Sequence, residues 1–148
     1  DLYAQPASNR HPYDPRRNTT FTRNSIIMNI NDYTGLPYDF RRRNCWHHVR
    51  NVRSDVGLTT PQFDVKSPTA ISEAFDAGHS DPQGLIRVPE PQNFDAVLLG
   101  VKHNGRIVWH AGVYYEGMVS HCELASRQVR LDRLEDLRDT YSEIEFWR

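Results

Sequence analysis

Residues 107 to 124 read IVWHAGVYYEGMVSHCEL. Ile107 to Tyr115 is rich in β-branched and aromatic residues, Glu116-Gly117 is a turn pair, and Met118 to Leu124 resumes the same character. The stretch therefore predicts two antiparallel strands joined by a two-residue loop. Such a loop fixes the register, so that Tyr115 pairs with Met118, Gly112 faces His121 and His110 faces Glu123. Period-two alternation then puts His110, Gly112 and Tyr114 on the same face as Val119, His121 and Glu123, with Cys122 on the other. His110 and His121 become diagonal neighbours, with Cβ atoms about 7–8 Å apart and within reach of two imidazoles. Gly112 has no side chain and leaves the space between them open.

On either side of this hairpin the chain alternates in kind. Ala96 to Val101 predicts a strand, Asn104-Gly105 a tight hairpin, and Val129 and Leu131, alternating with Gln128 and Arg130, a further strand. Residues 132 to 139, DRLEDLRD, suggest a short charged helix, and Ile144-Glu145-Phe146-Trp147 a final strand. Upstream, apolar residues at 45, 46, 49, 52 and 56 form a helical stripe with Asn44 as its N-cap. Residues 59 to 93 hold five prolines and read as a connection interrupted by one helix, with Ser67 as cap, Pro68 at its first position, Ile71, Ala74 and Phe75 inward, and Gly78 as its stop. Thr34-Gly35-Leu36-Pro37 is a turn, and residues 24 to 31, NSIIMNIN, suggest a short strand. Residues 1 to 23 carry three prolines, four arginines and the spaced aromatics Tyr3, Tyr13 and Phe21, with no helical or strand period. The expected organisation is an extended N-terminal arm with its short strand over 1–33 and an α+β domain over 34–148, a helix packed on an antiparallel meander.

A chain of 148 residues can bury a core of its own. The formal charge of −1 and the absence of any block of five like charges argue against a surface dedicated to nucleic acid or anionic membrane. No apolar run reaches the length of a membrane-spanning helix. Arginine supplies 16 of the 18 basic residues, a bias that suits fixed protein contacts, as does the composition of the arm. Two cysteines, Cys45 and Cys122, are too few for a disulfide scaffold.

Cys45, at the start of its helix, and the two histidines on one sheet face have the residue types of a nucleophile, a base and a group that orients the base. A helix N-terminus and a nearby imidazolium each lower a thiol's pKa. His110 would take the thiol proton, His121 would fix the tautomer of His110, and the backbone N–H of Cys45 would face a developing oxyanion. Other readings of the same residues stay open. Cys45 on an apolar stripe is compatible with a buried small hydrophobe, and Cys45, His110 and His121 are acceptable zinc ligand types without a short metal-binding spacing. Of the adjacent His47 and His48, one should face solvent and one the cleft. His11, His79 and His103 fall in expected loops, and Trp46, Trp109 and Trp147 read as core.

LPY at 36–38, NCWHHVRNVRSDVG from Asn44, NFDAVLL from Asn93 and WHAGVYYEGMVSH from Trp109, in that order, resemble the successive motifs of the NlpC/P60 peptidases. The resemblance covers roughly residues 34 to 148. It implies a papain-like fold and thiol-dependent hydrolysis of amide bonds in peptidoglycan stem peptides, with Cys45, His110 and His121 as catalytic residues. It further implies Tyr38, Asn44, Trp46 and His47 at the oxyanion or substrate side, and neither metal nor cofactor. The arrangement is similar to the cell-wall peptidases of phage tail gene clusters, which implies a virion or a cell-envelope location and contacts with other tail proteins through residues 1–33. The chain departs from the family pattern where Asn44 replaces an aspartate, where His47 replaces a small residue, and where the loop before Cys45 is shortened to residues 39–43. A structural tail component with a vestigial or gated site, anchored by its arm, is the alternative expectation.

Overall fold

The computed structural model describes residues 29–63 and 65–148. Expectations for the arm, including its tail contacts and His11, lie outside these residues. The described chain opens with a short 3-10 helix, Ile30–Tyr33, capped by Asn29, where the sequence suggested the end of a strand. Ile30 is buried and the Tyr33 hydroxyl donates to Asp55, so the chain joins the folded body before residue 34.

Among the described residues, three helices, α1 (Cys45–Asp55), α2 (Pro68–Ser80) and α3 (Leu134–Thr140), accompany six strands. These are β1 (Arg87–Val88), β2 (Ala96–His103), β3 (Arg106–Tyr115), β4 (Met118–Glu123), β5 (Gln128–Arg133) and β6 (Glu143–Trp147). They form one antiparallel sheet in the order β1-β6-β2-β3-β4-β5. The class is thus α+β, and β2 to β5 make the expected meander. The final strand does not extend it: α3 carries the chain back so that β6 pairs with β2 at the opposite side of the hairpins.

Two positive-φ turns set the hairpin registers. Asn104-Gly105 (φ 52° and 76°) and Glu116-Gly117 (φ 48° and 80°) bend with the hand that matches twisted strands. Tyr115 accordingly pairs with Met118, Tyr114 with Val119 and Val113 with Ser120. Outside the meander, residues 35 to 38 lie along β5 through Gly35 N–H to Val129 O and Tyr38 N–H to Arg127 O, both 2.9 Å.

The sheet separates two apolar layers. On one face Trp46, Val49 and Val52 of α1 and Ile71 and Phe75 of α2 pack on Ala96, Leu98, Trp109, Ala111 and Val113. Each fully buried aliphatic side chain of this kind contributes about 1.5–3 kcal/mol. On the other face Leu137 and Leu134 of α3 pack with Val97, Leu99, Val119 and Phe146. α2 begins at the expected Ser67 cap with Pro68 first, but runs two residues past Gly78. His79 is therefore helical and half-buried rather than in a loop; its Nε2 lies 2.7 Å from Glu145 Oε1, which bridges α2 to β6. Residues 132 and 133 belong to β5, so the charged helix starts at Leu134 and not at Asp132.

Gly112 sits just beyond the last paired residues of β3 and β4. A Cβ there would lie 2.6 Å from Val119 Cγ1, 2.9 Å from Ser120 O and 3.0 Å from His121 Cβ. The two strands approach each other because this residue has no side chain. Gly112→Ala is expected to destabilise the fold by about 1–3 kcal/mol through overpacking, measured as a lower urea midpoint at unchanged slope; an unchanged midpoint would remove Gly112 as the close-approach residue.

Candidate active site

α1 begins where Asn44 stops the preceding turn and caps the helix. Its Oδ1 accepts from the N–H groups of Trp46 (3.0 Å) and His47 (2.9 Å), and its Nδ2 donates to Phe40 O (3.1 Å). His47 completes the cap, since its Nδ1 accepts from the N–H of Asn44 at 3.2 Å. A histidine thus occupies the place a glutamate or glutamine takes in the usual reciprocal cap. Both polar side chains are engaged in holding the first turn, with Cys45 between them.

Cys45 is buried, and the backbone N–H groups of Ala111, Trp46 and Cys45 itself bear on its thiol. Ala111 immediately follows His110 on β3. The imidazole of His110 meets that of His121 edge-on, with Nε2 of His110 2.9 Å from Nδ1 of His121. His121 is fully buried and continues the chain of contacts, its Nε2 lying 2.8 Å from Asp132 Oδ2. Arg130 holds both carboxylate oxygens of Asp132, with Nε 3.2 Å from Oδ2 and NH2 3.1 Å from Oδ1. Tyr141, just after α3, stacks over His110 with ring centroids 6.4 Å apart and planes inclined by 24°.

On the far face of β4, His48 projects inward from α1. Its Nε2 lies 2.9 Å from Ser120 Oγ, so the neighbour of His121 is tied to the helix that carries Cys45. His48 is the inward member of the His47-His48 pair. Cys122 also lies on this side, buried, with its thiol donating to Arg43 O at 3.2 Å.

The other expected site residues divide. Tyr38 lies on the edge segment beside β5, near enough to Cys45 and Cys122 that their charges, after its own burial, raise its pKa. Trp46 turns into the core, where its Nε1 donates to Pro61 O and its ring stacks on Phe63. There it lines a cavity of about 230 Å³ with Phe75, Leu98 and Trp147, a space that Cys45, His110 and His121 do not border.

Burial pushes the Cys45 thiol up from 9.0 to about 12, against the opposing pull of the Ala111 N–H. This corrects the expectation of a lowered thiol pKa. Burial, reinforced by His121 and His48, lowers His110 from 6.5 to about 3. The resting pair is accordingly a neutral thiol and a neutral imidazole. Burial alone would raise the Asp132 carboxyl, but the hydrogen bonds from Arg130 and His121 outweigh it and hold the group below its ordinary value.

Asp132, Tyr141, His48 and Ser120 were not among the expected site residues. His48 could have been found from its i, i+3 spacing to Cys45 on the helix, and Asp132 from carrying the Gln128/Arg130 alternation one step further. Tyr141 follows the short helix and carries no comparable signal. Among the described residues no group of three or more His, Cys, Asp or Glu is arranged to hold a metal ion, and no helix is long and apolar enough to cross a membrane. No protein-family model matches the chain, and no curated protein matches it.

His48, lowered by burial and by His121 and Arg43 from 6.5 to about 3, makes the fold sensitive to acid. Between those values the unfolded chain takes up a proton that the folded chain refuses, so stability is full above pH 6.5 and falls as pH drops toward 3. The slope is roughly 1.4 kcal/mol per pH unit for each such group. Melting temperature should therefore fall from pH 7 to pH 4, and less steeply in His48→Gln; equal slopes for the two proteins would count against a neutral buried His48.

Proposed function

We propose that this protein is a thiol hydrolase that cuts amide bonds in peptidoglycan stem peptides, acting as a phage-tail-associated cell-wall endopeptidase of the NlpC/P60 kind. The observation that carries the reading is the placement of Cys45, at the first position of a capped helix and against the backbone of Ala111, the residue that follows His110, whose ring is hydrogen-bonded to His121. The sequence motifs around Cys45, Asn93 and His110 supply the substrate class.

Each group has a role that follows from its chemistry. The neutral imidazole of His110 accepts the thiol proton as Sγ attacks the amide carbon, so proton transfer accompanies bond formation and no thiolate stands ready beforehand. The carbonyl oxygen becomes an oxyanion. Asn44 Oδ1 takes the N–H groups of Trp46 and His47, so the N–H of Cys45, at the positive end of α1, is the first-turn donor that serves the oxyanion. The phenol of Tyr38, which is protonated at neutral pH like any tyrosine, is the second donor in this reading. His110 then gives its proton to the leaving amine, and water, deprotonated by the same imidazole, cleaves the thioester and restores the thiol. The apolar walls around Cys45 lower the local dielectric and strengthen these contacts as charge develops.

Cys45→Ala should reduce release of soluble fragments from purified peptidoglycan by roughly a thousandfold or more while the melting temperature holds. Mass analysis of the fragments identifies the bond cut, and undiminished release by the variant would sink the proposal. The base is the neutral form of His110, whose pKa is lowered from 6.5, so lowering the pH through 6.5 should leave kcat/KM largely intact. An acid limb with its midpoint at or above 6.5 would contradict a buried, neutral base.

A further inference from the structure

Two imidazoles in series transmit a hydrogen-bond polarity only if something at one end sets its direction. At the inner end, Nε2 of His110 and Nδ1 of His121 lie 2.9 Å apart, a contact that either ring can donate. At the outer end the ambiguity disappears, because Asp132 Oδ2, 2.8 Å from Nε2 of His121, belongs to a carboxylate and can only accept. Arg130 occupies Asp132 from the other side with two guanidinium contacts of 3.2 and 3.1 Å and fixes its plane.

We propose that Asp132 is a positioning residue that sets the tautomers of both histidines and so makes His110 a base toward Cys45. The carboxylate requires the proton of His121 on Nε2. A neutral His121 then has a bare Nδ1, which accepts from Nε2–H of His110. That leaves Nδ1 as the bare nitrogen of His110 and its only lone pair for the thiol proton. Tyr141 lies alongside the His110 ring, with centroids 6.4 Å apart and planes inclined by 24°. Asp132 acts through two rings and touches neither the thiol nor the substrate. When His110 takes the thiol proton, the positive charge is shared along the same line toward the Asp132–Arg130 pair.

The inference rests on the hydrolase reading for its catalytic consequence, but its structural core is independently measurable. In the full chain with histidines labelled with nitrogen-15, ring-nitrogen shifts at neutral pH should report Nε2–H for both His110 and His121. In Asp132→Asn the amide can donate to Nε2 of His121, which moves the proton of His121 to Nδ1, turns that contact around and forces His110 to carry its proton on Nδ1. Both rings should therefore switch tautomer in Asp132→Asn. In Asp132→Glu, which keeps a carboxylate, the wild-type pattern should return. On peptidoglycan, Asp132→Asn should lower kcat on the order of a hundredfold or more with little change in KM, since orientation of the base matters in the transition state and not in substrate binding.

A purely structural role for Asp132 would lower the melting temperature and leave the ring shifts where they are. An unchanged tautomer pattern in Asp132→Asn overturns the proposal. So does an Nδ1–H signal from His110 in the wild-type protein, a measurement that needs no variant to fold. Should the wild-type protein not act on peptidoglycan, the ring shifts still decide the role of Asp132, and the failure falls on the hydrolase reading alone.

Discussion

At Gly112 the second hairpin leaves no room for a side chain: atoms of Val119, Ser120 and His121 all come within 3.0 Å of where a β-carbon would go. Ladder pairing between β3 and β4 stops one residue earlier, at Val113 and Ser120. Beyond that point the strands are held by side chains, among them the two imidazoles. The close approach lets His121 lean toward His110 and at the same time reach Asp132 on β5. A larger residue at 112 would push β4 outward and lengthen every contact in that line. The geometry of the site is therefore set by a missing atom in the sheet more than by any residue within the site.

The surroundings then decide the charge state. Burial penalises charge on Cys45, His48 and His110 alike. The outcome is a set of neutral groups with one carboxylate at its rim, held there by Arg130. Neutral groups in contact depend on hydrogen-bond direction rather than on Coulomb attraction, which is why the rim carboxylate matters despite its distance from the thiol. The histidine in the helix cap has the same character. His47 holds the start of α1 with an imidazole lone pair, a local reason for the helix to begin where it does.

Local features of the chain were legible in the sequence. Asn104-Gly105 and Glu116-Gly117 are short loops with one low-energy geometry, so strand register could be counted outward from them, and the shared face of His110 and His121 followed by parity. Asn44 and Ser67 announced their helices because capping is chemistry within three residues. What could not be read was what depends on distant partners. The return of β6 to the side of β2 is a matter of strand order, which no local pattern encodes. Asp132 sits in a run of charges whose composition suits a helix; pairing with β4 keeps it in a strand for one more turn of the alternation. His79 lay in a Gly- and Asp-containing segment that reads as a loop until Glu145, 66 residues later, supplies its partner. The raised thiol pKa was hidden for the same reason: the helix terminus is visible in sequence, whereas the depth at which it is buried is not.

Ser120 and His121 are consecutive on β4 yet bind in opposite directions, Ser120 to His48 on the helix side and His121 to His110 and Asp132 on the other. A strand lined only with valines could slide by one residue and bury much the same surface. Here a one-residue slip exchanges the two faces and leaves His48, His110 and Asp132 facing groups that cannot answer them. Each polar group orphaned in the interior costs about 1–3 kcal/mol, so misaligned forms of the sheet lie well above the aligned one. The histidine contacts thus proofread the assembly of the central strands, and β4 has a single alignment in which all of its polar partners are found.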